Sequence, residues 1–280
     1  MIIYSNGCSH TAGTEGYDTY YNDIITRVIN PNTSYEWANP TEGHYNTFKN
    51  VNFGTLDKNT TYLFKHAEHG KSNDLIFFET YNMVLDSIIN NNKIDYAIIQ
   101  FSGVNRRFHT IPDADKGVKI LHVNPHDHHE LGIKFEPLAT EQSLQYLIIL
   151  QELFKKHDIN YVFIPYMEFD SSVLNLSSNV DLVDTTKLTC PLYEGHRNSF
   201  RALGYCRDGA GHPNYRGYYE IAKRCLDILN IQGIRPVEEY YSSERINFDD
   251  DLAQRQDFVK KFSKSLGDGT DRDLRKIGIK

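Results

Sequence analysis

Cysteine is scarce and scattered in this 280-residue chain: Cys8, Cys190, Cys206 and Cys225, with no CxxC pair among them. That pattern excludes a disulfide framework and a paired-thiol metal site, and it favours reduced thiols. Long apolar runs are missing too, and no stretch approaches the ~20 residues of a membrane-spanning helix. The opening residues Met1 to Gly7 have no basic region, and their apolar run is too short for a secretory signal. A cytoplasmic location is the resulting expectation. Excess positive charge is absent: 30 Lys and Arg face 37 Asp and Glu, for a net charge of −7. With no long basic run before the C-terminal tail, a nucleic-acid partner is not expected. Asn-x-Ser/Thr triplets begin at Asn32, Asn59 and Asn175. Without secretion they read as chance matches.

What is present is ordinary for a globular protein: 40% hydrophobic and 24% charged residues. Aromatics are mostly 19 Tyr and 15 Phe, which pack in a core or line a polar face equally well. Short apolar runs alternate with helical patterns, which predicts an α/β layered domain. Strands are expected at Ile2–Tyr4, Ile94–Phe101 and Tyr161–Ile164. Helices are expected over 16–29, over 72–90 with Ser72 as N-cap, over 139–157, and over Pro213–Leu229. Residues 106–137 read as a long polar loop, a second irregular region runs to about Thr185, and weak helical patterning covers 186–203. Domain organisation is expected as residues 1–232 for the functional domain. A charged C-terminal extension, 233–280, follows, partly helical near 251–264.

Two segments stand out chemically. Gly7-Cys8-Ser9-His10-Thr11-Ala12-Gly13 follows the first strand directly. A small residue before a serine at a strand's end lets the chain turn sharply and expose the hydroxyl, where open α/β sheets place ligands. The same serine equally suits a helix cap. Asp208-Gly209-Ala210-Gly211-His212-Pro213-Asn214 precedes the last apolar helix. A His with an Asp close upstream is a base with its orienting carboxylate, which a serine hydroxyl needs to become a nucleophile. The competing reading is a polar turn, with Pro213 at the first helical position.

Together the two segments resemble the SGNH (GDSL-like) serine hydrolases, in which Ser comes first and Asp and His come together near the end. Gly7-Cys8-Ser9-His10-Thr11 is similar to that family's first block, and His212-Pro213-Asn214 with Gly217 is similar to its last. Glu68-His69-Gly70-Lys71-Ser72-Asn73 stands where the second block belongs. Gly103-Val104-Asn105-Arg106 matches three elements of the third. The resemblance covers roughly residues 2–230. It implies a three-layer α/β/α sandwich with a mostly parallel sheet, flavodoxin-like in type. It also implies Ser9 as nucleophile, His212 as base and Asp208 as its orienter. The oxyanion hole would be made by the N–H groups of Ser9 and Gly70 and the amide of Asn105. Without the resemblance, Gly70 is a turn glycine and Asn105 a loop cap. The chain departs from the pattern at three points. Asp208-x-x-x-His212 is one residue longer than the usual spacing, Glu68 stands where Asn is common, and Arg106 replaces an Asp.

The implied activity is esterase-type cleavage of a small acyl ester, including acetyl groups on carbohydrates, with no metal or organic cofactor. His10 and Arg106 are candidate substrate contacts, with Tyr20, Tyr21, Arg107 and Tyr166 as further candidates on the substrate side. His122, His126, His128 and His129, with Asp127 and Glu130, are metal-binding residue types. They lack HExxH spacing, and read as a solvated loop.

Overall fold

The computed structural model describes residues 1–8, 11, 19–31, 36–38, 60–67, 71–103, 107–113, 117–123, 136–165, 180–189 and 213–241. In chain order the elements are β1 (Ile2–Gly7), α1 (Tyr21–Ile29), β2 (Glu36–Ala38), β3 (Tyr62–Ala67), α2 (Asn73–Ile89) and β4 (Tyr96–Gln100). There follow β5 (Arg107–Asp113), β6 (Gly117–Val123), α3 (Glu136–Lys156), β7 (Asn160–Ile164), α4 (Tyr215–Ile228) and the short α5 (Val237–Tyr240).

Five strands form one sheet in the order β2-β3-β1-β4-β7, and every pairing in it is parallel. A parallel sheet carries helices on both faces, so its strands must be apolar on both sides. All six residues of β1 are buried. The period-2 geometry of a strand then sorts the side chains. Ile3, Leu63, Ile98, Val162 and Ile164 face a cluster shared with Ile24 and Ile25 of α1 and Tyr218, Ile221 and Leu226 of α4. Tyr4, Phe64, Ala97, Ile99 and Phe163 face Ile76, Met83 and Val84 of α2 and Leu147, Leu150 and Phe154 of α3. The expected three-layer α/β/α sandwich is the one observed. Among the described residues, no helix is long and apolar enough to cross a membrane.

The chain enters at the centre of the sheet. From β1 it goes out through α1 to the edge strand β2 and back to β3 on one side, then crosses through α2 to β4 and through α3 to β7 on the other. The carboxyl end of β1 is therefore the point where the winding reverses, the place where doubly wound sheets open a crevice.

Three sequence expectations change. Residues 107–113 and 117–123 are not irregular: β5 and β6 pair antiparallel, with Arg107 opposite Val123 and Asp113 opposite Gly117. Pro112 and the interspersed polar residues hide its alternation, but both strands of a two-stranded ribbon are edges, where a proline is tolerated. Ser72 does occupy the N-cap position of α2, yet its hydroxyl makes no capping bond. It is buried and has no hydrogen-bond partner among the described residues. Tyr21 is not on a substrate-facing surface: it is fully buried, and burial pushes its phenol well above the ordinary range. The helix expected over 16–29 is observed from Tyr21, with residues 16–18 outside the described residues, as is all of the helix expected near 251–264. Tyr166, Cys190, Cys206 and the segment from His126 to Glu130 lie outside them too. The side chains of Arg107 and His122 are likewise undescribed.

The start of the C-terminal extension docks on the α1 and α4 side. Val237, Tyr240 and Tyr241 join that core, and the Tyr215 and Tyr241 rings meet edge-on at 5.4 Å. The Tyr241 hydroxyl donates to the Thr19 carbonyl at 3.1 Å, tying residue 241 to the entry of α1.

Lys65 is an unusual interior cation. It lies on the α1 side of β3, only 5% exposed, with Nζ 4.6 Å from the Tyr20 ring centre. Burial pushes its pKa down from 10.5 to about 8, against the opposing pull of Asp23. Between those two values the unfolded chain holds a proton that the folded chain has released, so stability rises with pH across that window. Buried Tyr4 and Tyr21, with raised pKa values, reverse the trend once unfolded tyrosine ionises near 10. Urea unfolding should therefore show about 2 kcal/mol more stability at pH 9.5 than at pH 7. Lys65→Met should flatten that rise, and an unchanged slope in the variant would contradict the assignment.

Candidate active site

The motif segments continue directly from the carboxyl ends of three adjacent strands. Cys8 follows β1, the Gly70 segment follows β3, and the Gly103 segment follows β4. Ser9, His10, Gly70, Asn105, Arg106, Asp208 and His212 themselves lie outside the described residues. What is described is the frame around them, and it is tightly built.

Gln100, the last residue of β4, holds the start of the first segment. Its Oε1 accepts from the Cys8 N–H, the Cys8 thiol and the Thr11 hydroxyl, each at 3.1 Å. The Thr11 N–H donates to the Cys8 carbonyl at 2.9 Å. The Thr11 and Tyr21 hydroxyls share a hydrogen bond of 2.6 Å, which docks Thr11 on α1. Gly7 is required here for space: a Cβ would overlap the Thr11 hydroxyl and stand 2.9 Å from Gln100 Cβ. Cys8 and Thr11, which flank Ser9 and His10 in the chain, are thus both held by Gln100.

Lys71, next to Gly70, is 2% exposed, and its ammonium donates three times. It bonds Glu79 Oε2 of α2 at 2.6 Å, the His66 carbonyl of β3 at 2.8 Å and Asn6 Oδ1 of β1 at 3.1 Å. Asn6 Oδ1 also accepts the Gly7 N–H at 2.8 Å. The Asn6 amide nitrogen reaches the Ile76 carbonyl, Thr80 Oγ1 and Tyr4 OH at 3.0–3.1 Å. Every polar group of this interior cluster is paired, which is the condition for tolerating buried charge.

Asn73, at the first turn of α2, grips the segment after β4. Its Oδ1 accepts from the Ser102 N–H at 2.6 Å, and its Nδ2 donates to the Ser102 carbonyl at 3.1 Å. One amide thus pairs both backbone groups of Ser102, three residues before Asn105. A second bond from Nδ2, 3.0 Å to Ser143 Oγ, ties the same residue to α3.

The last segment reaches the described chain at Pro213. Asn214 is the N-cap of α4, and its Oδ1 accepts from the Gly217 N–H at 2.8 Å. Pro213 therefore precedes the cap and is not the first helical residue. Tyr218, in the first turn of α4, packs edge-on against Tyr20 at 5.2 Å, and Tyr20 carries Lys65 of β3 over its ring. Lys65 lies level with Ser5 near the carboxyl end of the sheet. The entry to α4, two residues after His212, is thereby brought to that end.

Gln100, Lys71 and Asn73 are the residues that sequence reading did not single out. The available signal was a polar side chain closing an apolar strand, as in Gln100, and a second one inside β1, as in Asn6. Burial of Lys71 left no such sign. No group of three or more His, Cys, Asp or Glu side chains is arranged to hold a metal among the described residues.

No family model matches the chain, and no curated protein matches it. Among solved structures it is similar to the lipase Lip_vut3 from a goat rumen metagenome, with 13% identity, a TM-score of 0.45, and coverage of 85% of this chain and 100% of that one. It is also similar to LAE5, an alpha/beta hydrolase enzyme from the metagenome of Lake Arreo, Spain, with 14% identity, a TM-score of 0.40, and coverage of 82% and 94%. A third is a catalytic mutant of Axe2, an acetylxylan esterase from Geobacillus stearothermophilus, with 11% identity, a TM-score of 0.44, and coverage of 84% and 96%. Likenesses this loose carry no argument about chemistry; the α/β/α architecture stands on the strand order and the two helical layers.

Proposed function

We propose that the chain is a serine esterase of the SGNH type, cleaving a small acyl ester. The supporting observation is that the Ser9, Gly70 and Asn105 segments leave the carboxyl ends of three neighbouring strands, β1, β3 and β4, at the winding reversal. The entry of α4, two residues after His212 in the chain, lies toward the same end. In this reading Ser9 Oγ attacks the acyl carbonyl while His212 accepts its proton and returns it to the leaving alcohol. Asp208 holds the imidazole in the useful tautomer. The N–H groups of Ser9 and Gly70 and the Asn105 amide receive the oxyanion, where loss of one donor typically costs ~10²–10³ in rate. Water then deacylates Ser9 through the same groups, and no metal or organic cofactor takes part. His10 and Arg106 are the proposed substrate contacts, and an acetylated carbohydrate is the proposed substrate class.

A fluorophosphonate probe tests this directly. Intact-mass analysis should show one adduct, peptide mapping should put it on Ser9, and Ser9→Ala should not label. Absence of labelling in the wild type, or equal labelling of the variant, would remove the hydrolase reading. The long Asp208-x-x-x-His212 spacing favours one alternative, a carbohydrate-binding or assembly module on the same fold. Ser9-dependent turnover on a panel of acyl esters would exclude a purely binding role.

A further inference from the structure

We infer that Lys71 is a positioning residue for this site, fixing the chain next to Gly70 against β1, the strand that leads to Ser9. The inference rests on the esterase reading. Lys71 is joined to Gly70 by one peptide bond, yet its side chain turns back to the His66 carbonyl, the next-to-last residue of β3. The ammonium thus ties residue 71 back to the end of β3. The same ammonium bonds Asn6 Oδ1, and Asn6 Oδ1 in turn holds the Gly7 N–H at the end of β1. A single cation therefore sits one residue from Gly70 and one hydrogen bond from the strand that delivers Ser9. The third bond, to Glu79 two turns into α2, anchors the cation from behind and balances its charge.

Two of the three bonds of Lys71 go to β1 and β3, the strands that lead toward the proposed oxyanion donors. Nζ has three donors and all three are used. The separation between two preorganised N–H donors matters steeply for turnover, because a misplacement of about 1 Å costs on the order of 10²-fold.

Two variants of the full chain separate positioning from bulk stability. Lys71→Met with Glu79→Met removes the anchor without stranding a charge. Its kcat on an activated acetyl ester should fall by about tenfold to a hundredfold, with KM within about twofold of wild type. Val84→Ala, in the core beneath α2, lowers stability with all three Lys71 bonds intact. Its Tm should fall while kcat stays within about twofold of wild type. Unchanged kcat in the double variant overturns the inference. So does a tenfold loss in Val84→Ala, an outcome readable even if the double variant does not fold. Wild-type protein that neither labels at Ser9 nor turns over ester defeats the esterase reading itself and takes this inference with it; an active wild type isolates the question to Lys71.

Discussion

Replacing Gly7 with alanine should destabilise the protein by about 3 kcal/mol and remove ester turnover together. The cause is space, because the added methyl would overlap the Thr11 hydroxyl and lie 2.9 Å from both Gln100 Cβ and Gln100 Oε1. Neither neighbour moves freely. Thr11 is bonded to Tyr21, whose hydroxyl is buried in the α1 layer, and Gln100 Oε1 accepts three bonds at once. Backbone must therefore shift at the carboxyl end of β1, two residues before Ser9. Chemical denaturation of Gly7→Ala, read beside its fluorophosphonate labelling rate, checks both halves. A variant within 1 kcal/mol of wild type that still labels at the wild-type rate would show that this contact is slack.

The second large effect concerns the interior ion pair. Lys71→Met alone should cost about 3–5 kcal/mol, because it leaves the Glu79 carboxylate buried with its counter-charge gone. The His66 carbonyl and Asn6 Oδ1 lose a donor in the same step. Neutralising both partners, as Lys71→Met with Glu79→Met, should recover most of that loss. A hydrophobic replacement for a buried pair is often neutral, whereas a half-removed pair strands a charge. Thermal unfolding of the two single variants and the double variant, treated as a cycle, measures the coupling. Additive losses in that cycle would mean the 2.6 Å contact contributes little.

Much of the layered architecture was legible because it depends on local periodicity. Tyr96-Ala97-Ile98-Ile99 and Tyr161-Val162-Phe163-Ile164 read as interior strands since a parallel sheet must be apolar on both faces. The helices α2, α3 and α4 were visible from their apolar stripes, with ends off by one to three residues. The β5–β6 pairing was not legible. It joins residues up to sixteen positions apart, as from Arg107 to Val123, and a proline breaks the pattern in one strand. Tyr21 was misread for a related reason. A tyrosine at a helix entrance looks the same in sequence whether its hydroxyl meets solvent or a buried Thr11, and only the docking of α1 on β1 decides.

The sequence by itself determined the alternation of strands with helices and the small residue before Ser9, since each follows from side-chain size and period along a short stretch; the parallel sheet was implied by the family resemblance. Tertiary structure alone decided how the ends of β1, β3 and β4 are held together. Asn6, Lys71, Glu79, Asn73 and Gln100 are ordinary polar residues in the chain, separated by up to 94 positions between Asn6 and Gln100. They become a clamp only because strand order places β1 between β3 and β4, where desolvation makes an unpaired polar group costly and these five side chains find partners in one another and in nearby backbone.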